Sequence, residues 1–404
     1  MNPEPATPPK KIVLLGHDAS HSGAPIFLLH LARWLKPHGG VELEIILRND
    51  GPLEEEFRQI APLKILQFNR LELALHRLCG WLHIPTPAWI SLPAKITRHL
   101  RGRNIDLVYA NTVAVADEAA AAAQLGLPVL WQIHELPYCI NAIEGGHAFR
   151  RANHLARGFV AVSEGVKRGL VSANGVPAEK ISVIHGFVPP GKNGALDLPA
   201  SRAAARKELN LPPDAFVAGM CGSVCWHKGV DWFIAVAREL AVEFADRKIH
   251  LLWIGAAESE LILSQVNHEL RLARLTERVQ FIGVRADSRP YLAALDAFLL
   301  SSREDSFPLV MLEAASLGLP LVCFADSGGG PEFVGTDAGI VVDYADTRAA
   351  ARALVKLSEQ PELRQRLGAS ARQKVLSGHT IEIQAPKILR LLEQLCGRPV
   401  ANEK

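Results

Sequence analysis

Residues 301–332 read SSREDSFPLVMLEAASLGLPLVCFADSGGGPE, and their order of polar and apolar runs decides the fold. Just before them, residues 296–300 are a short apolar run fit for a buried strand, and residues 301–306 are polar and loop-like. Pro308 opens a helical pattern in which Leu309, Leu312 and Leu317 are spaced for burial, and Gly318 closes it. Proline at the start of a helix and glycine just past its end is the usual asymmetry. A second apolar run, residues 320–324, leads into Ser327-Gly328-Gly329-Gly330. Strand, loop, helix, strand and glycine loop make a βαβ unit, and such units bind ligands at the carboxyl ends of their strands. Helix N-termini there present N–H groups and a positive dipole end, which suit phosphate. Asp305 and Glu313, eight positions apart, suit the hydroxyls of a ribose or a sugar better than the phosphate itself.

Working outward, the same alternation fills the chain. Apolar strand-like runs at 11–16, 41–47, 105–110, 128–133, 158–162 and 181–184 alternate with helical patterns, among them 26–35, 115–125 and 164–173. Gly23, in the loop after the first run, allows a close backbone approach at a helix start. A Pro/Gly stretch, VPPGKNGALDLPA, then reads as a linker. The alternation restarts with strands at 215–221, 249–254, 279–282 and 296–300, and a last helical pattern covers 382–395. The expected organisation is a leader at 1–10, a first Rossmann-like domain at 11–187, a linker at 188–200, a second Rossmann-like domain at 201–378 and a C-terminal helix within 379–404. Two doubly wound α/β domains facing a cleft follow from two such arrays.

Composition fits an ordinary globular protein: 404 residues, 49% hydrophobic, 21% charged, net charge +2. That balance gives no case for a nucleic-acid partner. The start, MNPEPATPPKK, has no apolar core and reads as a disordered leader, not a signal peptide. Six scattered cysteines suit a reducing cytoplasm. Cys221 and Cys225 are separated by three residues with no second ligand pair in the sequence nearby, so no metal site is expected there.

With these residues in view, the chain resembles the family-four retaining glycosyltransferases of the GT-B fold over about residues 11–395. The segment 301–334 is similar to the family's E-x7-E motif followed by its Gly-Gly-x-x-Glu loop, with Asp305 and Glu313 on the two acidic positions. Asp305 stands where a Glu is usual, and Glu304 lies one residue early. The resemblance implies a catalytic role for Asp305, which with the backbone after it, Phe307, Pro308 and Leu309, faces the donor sugar and phosphates. Glu313 would bind the ribose hydroxyls, and Gly23, Gly328 and Gly329 the donor. Lys228, in WHKGVDWF, matches the lysine that neutralises the donor pyrophosphate, a task a compact ammonium suits. The family's arginine a few residues earlier is replaced by Ser223. His134, after the run PVLWQI, resembles the histidine at the end of a strand in the first domain, with a catalytic role. Asn111-Thr112 occupies the same rim, while Ser163 reads as a helix cap.

The implied reaction moves a glycosyl group from a nucleotide-diphosphate sugar to an acceptor hydroxyl with retention, needing no metal and no cofactor, in surface polysaccharide or glycoconjugate assembly. Three other readings share the fold: a nucleotide-sugar epimerase, a sugar-phosphate synthase and a catalytically silent subunit. One stretch, LELALHRLCGWLHIPTPAWISLP at 71–93, fits neither a plain strand nor a plain amphipathic helix. It carries Trp81 and Trp89, and Lys95, Arg98, Arg101 and Arg103 follow with no acid between them. Such a stretch docks on an anionic membrane or packs as core. Docking would suit a lipid-linked sugar acceptor and a peripheral place on the cytoplasmic face.

Overall fold

The computed structural model describes residues 9–68, 70–82, 84, 87–142, 146–188 and 197–396. Most of the expected leader and residues 189–196 of the expected linker lie outside these, as do residues 83, 85 and 86 of the Trp-bearing stretch. The chain forms two units, one running to Ile184 and resuming at Gln384, the other His185–Ile383. Each is described by itself.

The first unit is a parallel sheet of β1 (Lys10–Gly16), β2 (Val41–Leu47), β3 (Leu63–Ile65), β4 (Leu107–Asn111), β5 (Val129–Ile133), β6 (Gly158–Ala161) and β7 (Ile181–Val183), in the order β3-β2-β1-β4-β5-β6-β7. The central strands β4 and β5 are buried along their whole length, as strands covered by helices on both faces must be. Between them the Tyr109 hydroxyl donates to Gln132 Oε1 at 2.6 Å. The strand order reverses between β1 and β4, so their carboxyl ends, Gly16 and Asn111, flank the crevice where doubly wound sheets take ligands. Arg48, just past β2, grips the fully buried Glu118 through two bonds of 2.8 Å. The last helix, Ile381–Cys396, reaches this unit: a Cβ on Gly158 of β6 would lie 3.8 Å from Leu395.

The second unit repeats the plan with β8 (Phe216–Cys221), β9 (Ile249–Ile254), β10 (Val279–Phe281), β11 (Ala297–Leu300), β12 (Leu321–Phe324) and β13 (Gly339–Val342), ordered β10-β9-β8-β11-β12-β13. Its reversal falls between β8 and β11. Opposite the carboxyl edge, Asp296 takes Arg202 at 2.8 Å and Arg206 at 2.7 Å, anchoring the helix Leu198–Glu208 to the sheet. That helix begins inside the expected linker. Asp197 is its N-cap, accepting from Ala200 N at 3.1 Å, and Pro199 sits in its first turn. Three elements after the glycine loop were not read from the sequence: β13 and the helices Thr347–Glu359 and Pro361–Gly378.

Candidate active site

In the second unit, the residues singled out from the sequence gather at the carboxyl ends of β8, β11 and β12. The loop after β8 brings Lys228 to the loop after β11, where its Nζ lies 2.5 Å from Asp305 Oδ2. Ser302 Oγ donates to the same oxygen at 3.1 Å. Asp305 is 9% exposed, so its charge is balanced in place by the ammonium and the hydroxyl. It is Asp305, and not Glu304, that makes this pair. The backbone of Asp305 is tied to the glycine loop, its N–H donating to Ser327 O at 2.8 Å and its carbonyl accepting from Gly329 N at 3.0 Å. Gly328 has φ +115°, a conformation closed to other residues, and a Cβ on Gly329 would lie 2.2 Å from the Ser306 carbonyl. The fold of the loop therefore demands both glycines.

Pro308 caps the next helix, Leu309–Ser316, without a side-chain bond, so the turn from Leu309 offers backbone N–H groups. The Phe307 ring is buried and stacks on His185 and His379, with centroids 4.9 and 5.3 Å away. These rings, with Glu332, Phe333 and Lys374, line a cavity of about 250 Å³, where His185 Nε2 meets Glu332 Oε1 at 2.6 Å. Glu313 sits half-buried in the helix Leu309–Ser316. Burial pushes the Cys221 thiol at the end of β8 up to about 12, with the Glu313 charge adding and Lys228 opposing. Acid and ammonium thus both act on the end of β8. The Arg289 guanidinium is raised chiefly by its bonds to Asp287, with the Glu313 charge contributing. Arg289 lies outside every motif, and no sequence signal marks it.

In the first unit, His134 follows β5, and its Nε2 lies 2.8 Å from Asn111 Oδ1 at the end of β4. The Asn111 amide nitrogen donates to Ala24 O at 2.9 Å, which fixes the amide oxygen toward the imidazole. His134 therefore carries its proton on Nε2, leaving Nδ1 an acceptor. Burial, aided by the neighbouring His17, holds the imidazole neutral by lowering its pKa to about 3. Glu135 staples the rim: it accepts from His134 N at 2.9 Å, from Val113 N at 3.3 Å and from the Thr112 hydroxyl. Thr112 is held at φ +88°, a strained setting that such bonds sustain. Gly23 begins the helix Gly23–His38, and a Cβ there would meet nothing within 4 Å. Packing does not call for glycine at that position. Ser163 caps the helix Glu164–Asn174, accepting from Val166 N at 3.2 Å.

Each unit is thus a parallel Rossmann-like sheet with candidate residues at its carboxyl edge. A family model for Glycosyltransferase Family 4 matches residues 21–192, and one for Glycosyl transferases group 1 matches residues 215–360. The chain belongs to these glycosyltransferases, and its fold is GT-B. LpsE of Rhizobium meliloti, a lipopolysaccharide core biosynthesis glycosyltransferase, is 30% identical over 216 residues, 53% of this chain and 58% of that protein. WclY of Escherichia coli, an O-antigen biosynthesis glycosyltransferase, is 31% identical over 118 residues, 29% of this chain and 31% of that protein. The chain thus spans between about a third and three-fifths of the length of these relatives. The solved structure of Anabaena HepE with UDP and glucose superposes with TM-score 0.78 at 20% identity, over 95% of this chain and 99% of that one. Sucrose-phosphate synthase of Thermosynechococcus elongatus gives 0.73 at 18%, over 96% and 99%.

Proposed function

We propose that the protein transfers a glycosyl group from a nucleotide-diphosphate sugar to an acceptor hydroxyl, with retention and without a metal, in surface polysaccharide or glycoconjugate assembly. The observation that carries this is the Lys228–Asp305 pair at the β8/β11 crevice, backed by the glycine loop. A donor diphosphate entering the crevice competes with Asp305 for Lys228. The ammonium and the N–H groups from Leu309 then stabilise the charge that develops on the leaving diphosphate, while Pro308 contributes none. Asp305, released from Lys228, accepts from hydroxyls of the donor sugar, and Glu313 accepts from those of the ribose. His134, neutral and with Nδ1 as acceptor, serves a sugar hydroxyl. Retention is assigned to front-side attack, with the leaving phosphate oxygen taking the acceptor's proton. Relatives named for lipopolysaccharide core and O-antigen biosynthesis support the polysaccharide context. The test is the anomeric configuration of the product by NMR, with and without chelator. An inverted product, or a rate abolished by chelator and restored by magnesium, contradicts the reading.

The acceptor side favours a membrane surface. No helix among the described residues is long and apolar enough to cross a membrane. The helix Arg70–Trp81 and the turn Ala88–Ile90 nevertheless leave Leu71 83%, Trp81 77% and Trp89 56% exposed, so these side chains are surface and not core. Folding also brings acids to the basic cluster, with Glu72 at 2.5 Å from Lys95 and Glu44 at 2.8 Å from Arg103. Arg98 and Arg101 remain the bases that an anionic leaflet would meet, each worth on the order of 1 kcal/mol. Docking there suits a lipid-linked sugar acceptor. Wild type should pellet with anionic vesicles at low salt, and Trp81→Ser with Trp89→Ser, or Arg98→Glu with Arg101→Glu, should release it. Equal pelleting of all three proteins, or none by the wild type, contradicts the docking surface.

A further inference from the structure

The loop that presents Lys228 carries two further metal-ligating side chains, Cys225 and His227. We propose that Cys225, His227 and Glu258 form a binding site for a thiophilic divalent cation of the Zn²⁺ type. Cys225 Sγ lies 3.2 Å from His227 Nδ1 and 3.7 Å from Nε2, and one ligand atom from each of the three residues lies within 4.8 Å of the others. Around a tetrahedral zinc, a thiolate and an imidazole nitrogen stand roughly 3.6 Å apart, given bonds of about 2.3 and 2.0 Å. The sulfur–nitrogen pair is already at that spacing to within a few tenths of an ångström. Glu258 is exposed and His227 partly so.

The backbone sets the cluster in place. Val224 N donates to Ala256 O at 2.7 Å and Glu258 N to Val224 O at 3.4 Å, so the loops after β8 and β9 run as a short parallel pair that holds Cys225 beside Glu258. The carbonyl of His227 accepts from Arg303 N at 2.8 Å, which ties the third ligand's backbone to the loop after β11. Two loops of different strands thus supply three ligands without a chain rearrangement. Thiolate with imidazole selects zinc or cobalt over magnesium or calcium, which take oxygen ligands. Three protein ligands leave a fourth position open. Cys221, the other cysteine of this region, is not part of the cluster. Because His227 immediately precedes Lys228, a bound cation restrains the donor loop. The site takes no part in the transfer chemistry proposed above and does not rest on it.

Cobalt titration of the reduced, metal-free full chain tests the site. The wild type should develop a thiolate-to-cobalt charge-transfer band that saturates at one equivalent and disappears when zinc is added. Cys225→Ser should abolish the band, and Cys221→Ser should leave it unchanged. His227→Ala and Glu258→Gln should each weaken cobalt binding about tenfold or more. Glu258 is exposed, so its variant does not put folding at stake, and circular dichroism checks the others. No band in the wild type, a band that persists in Cys225→Ser, or unchanged affinity in both His227→Ala and Glu258→Gln overturns the proposal.

Discussion

At the scale of the residue, charge balance decides what each candidate group can do. Glu313 is half-buried and acts on the same strand end as Lys228. Replacing it with Ala should cost about 1.5–3 kcal/mol of donor recognition, a fall of roughly 10- to 150-fold in kcat/KM for the donor, with the circular dichroism spectrum unchanged. Wild-type kcat/KM in that variant would remove Glu313 from the donor site. His134 gives a prediction on stability. Its pKa is lowered to about 3 in the folded chain, below the ordinary value of 6.5, so between those values the unfolded chain binds the extra proton. Stability is complete above about pH 6.5 and falls as pH drops toward 3, by at most about 1.4 kcal/mol per pH unit from this group. His134→Gln should therefore lose less stability than wild type when urea unfolding is compared at pH 7 and pH 5, and equal losses would contradict the neutral assignment. Lys228, Asp305, Glu313 and His134 were legible because they stand at fixed offsets from strand ends in a recognisable pattern. Arg289, the Asn111 bond to His134 and the grouping of Glu258 with Cys225 were not, since they arise where loops from different strands converge.

At the scale of the element, the loop after β8 is the part most tightly specified by its backbone. Gly229 has φ +70°, and a Cβ there would lie 2.0 Å from the Ser301 carbonyl, while Ser301 Oγ donates to Lys228 O at 2.9 Å. Gly229→Ala should destabilise the fold by about 2 kcal/mol or more, read as a lowered urea midpoint, because neither the dihedral nor the space admits a side chain. An unchanged midpoint would show that the loop yields and that its contact with β11 is not fixed. The buried strands β1, β2, β5, β8, β9, β11 and β12 were legible as apolar runs, because a sheet covered on both faces needs continuous hydrophobic segments. The edge strands β3 and β13 were not. Length is not the reason, since the three-residue edge strands β7 and β10 were read; in β3 Lys64 interrupts the apolar run, and β13 is only partly buried. The start of the helix Leu198–Glu208 was masked by its own first turn: Asp197 and Pro199 are cap and N-terminal residues, but in a Pro/Gly-rich stretch they read as linker.

At the scale of the whole molecule, the duplicated strand order places a crevice at the reversal point of each sheet, and the candidate residues sort between them, Lys228, Asp305 and Glu313 in one and His134 in the other. Membership of the family and the GT-B fold establish the framework, and the account's central claim is that Lys228 neutralises a donor diphosphate at the β8/β11 crevice. The most direct measurement is release of nucleoside diphosphate from a panel of UDP-, GDP-, ADP- and TDP-sugars, by wild type and by Lys228→Ala, at donor concentrations below saturation and with thermal unfolding of both proteins recorded. The account predicts that the wild type consumes a donor from the panel and that Lys228→Ala, unfolding at the wild-type temperature, is slower by at least about tenfold. Release at the wild-type rate by Lys228→Ala would contradict it.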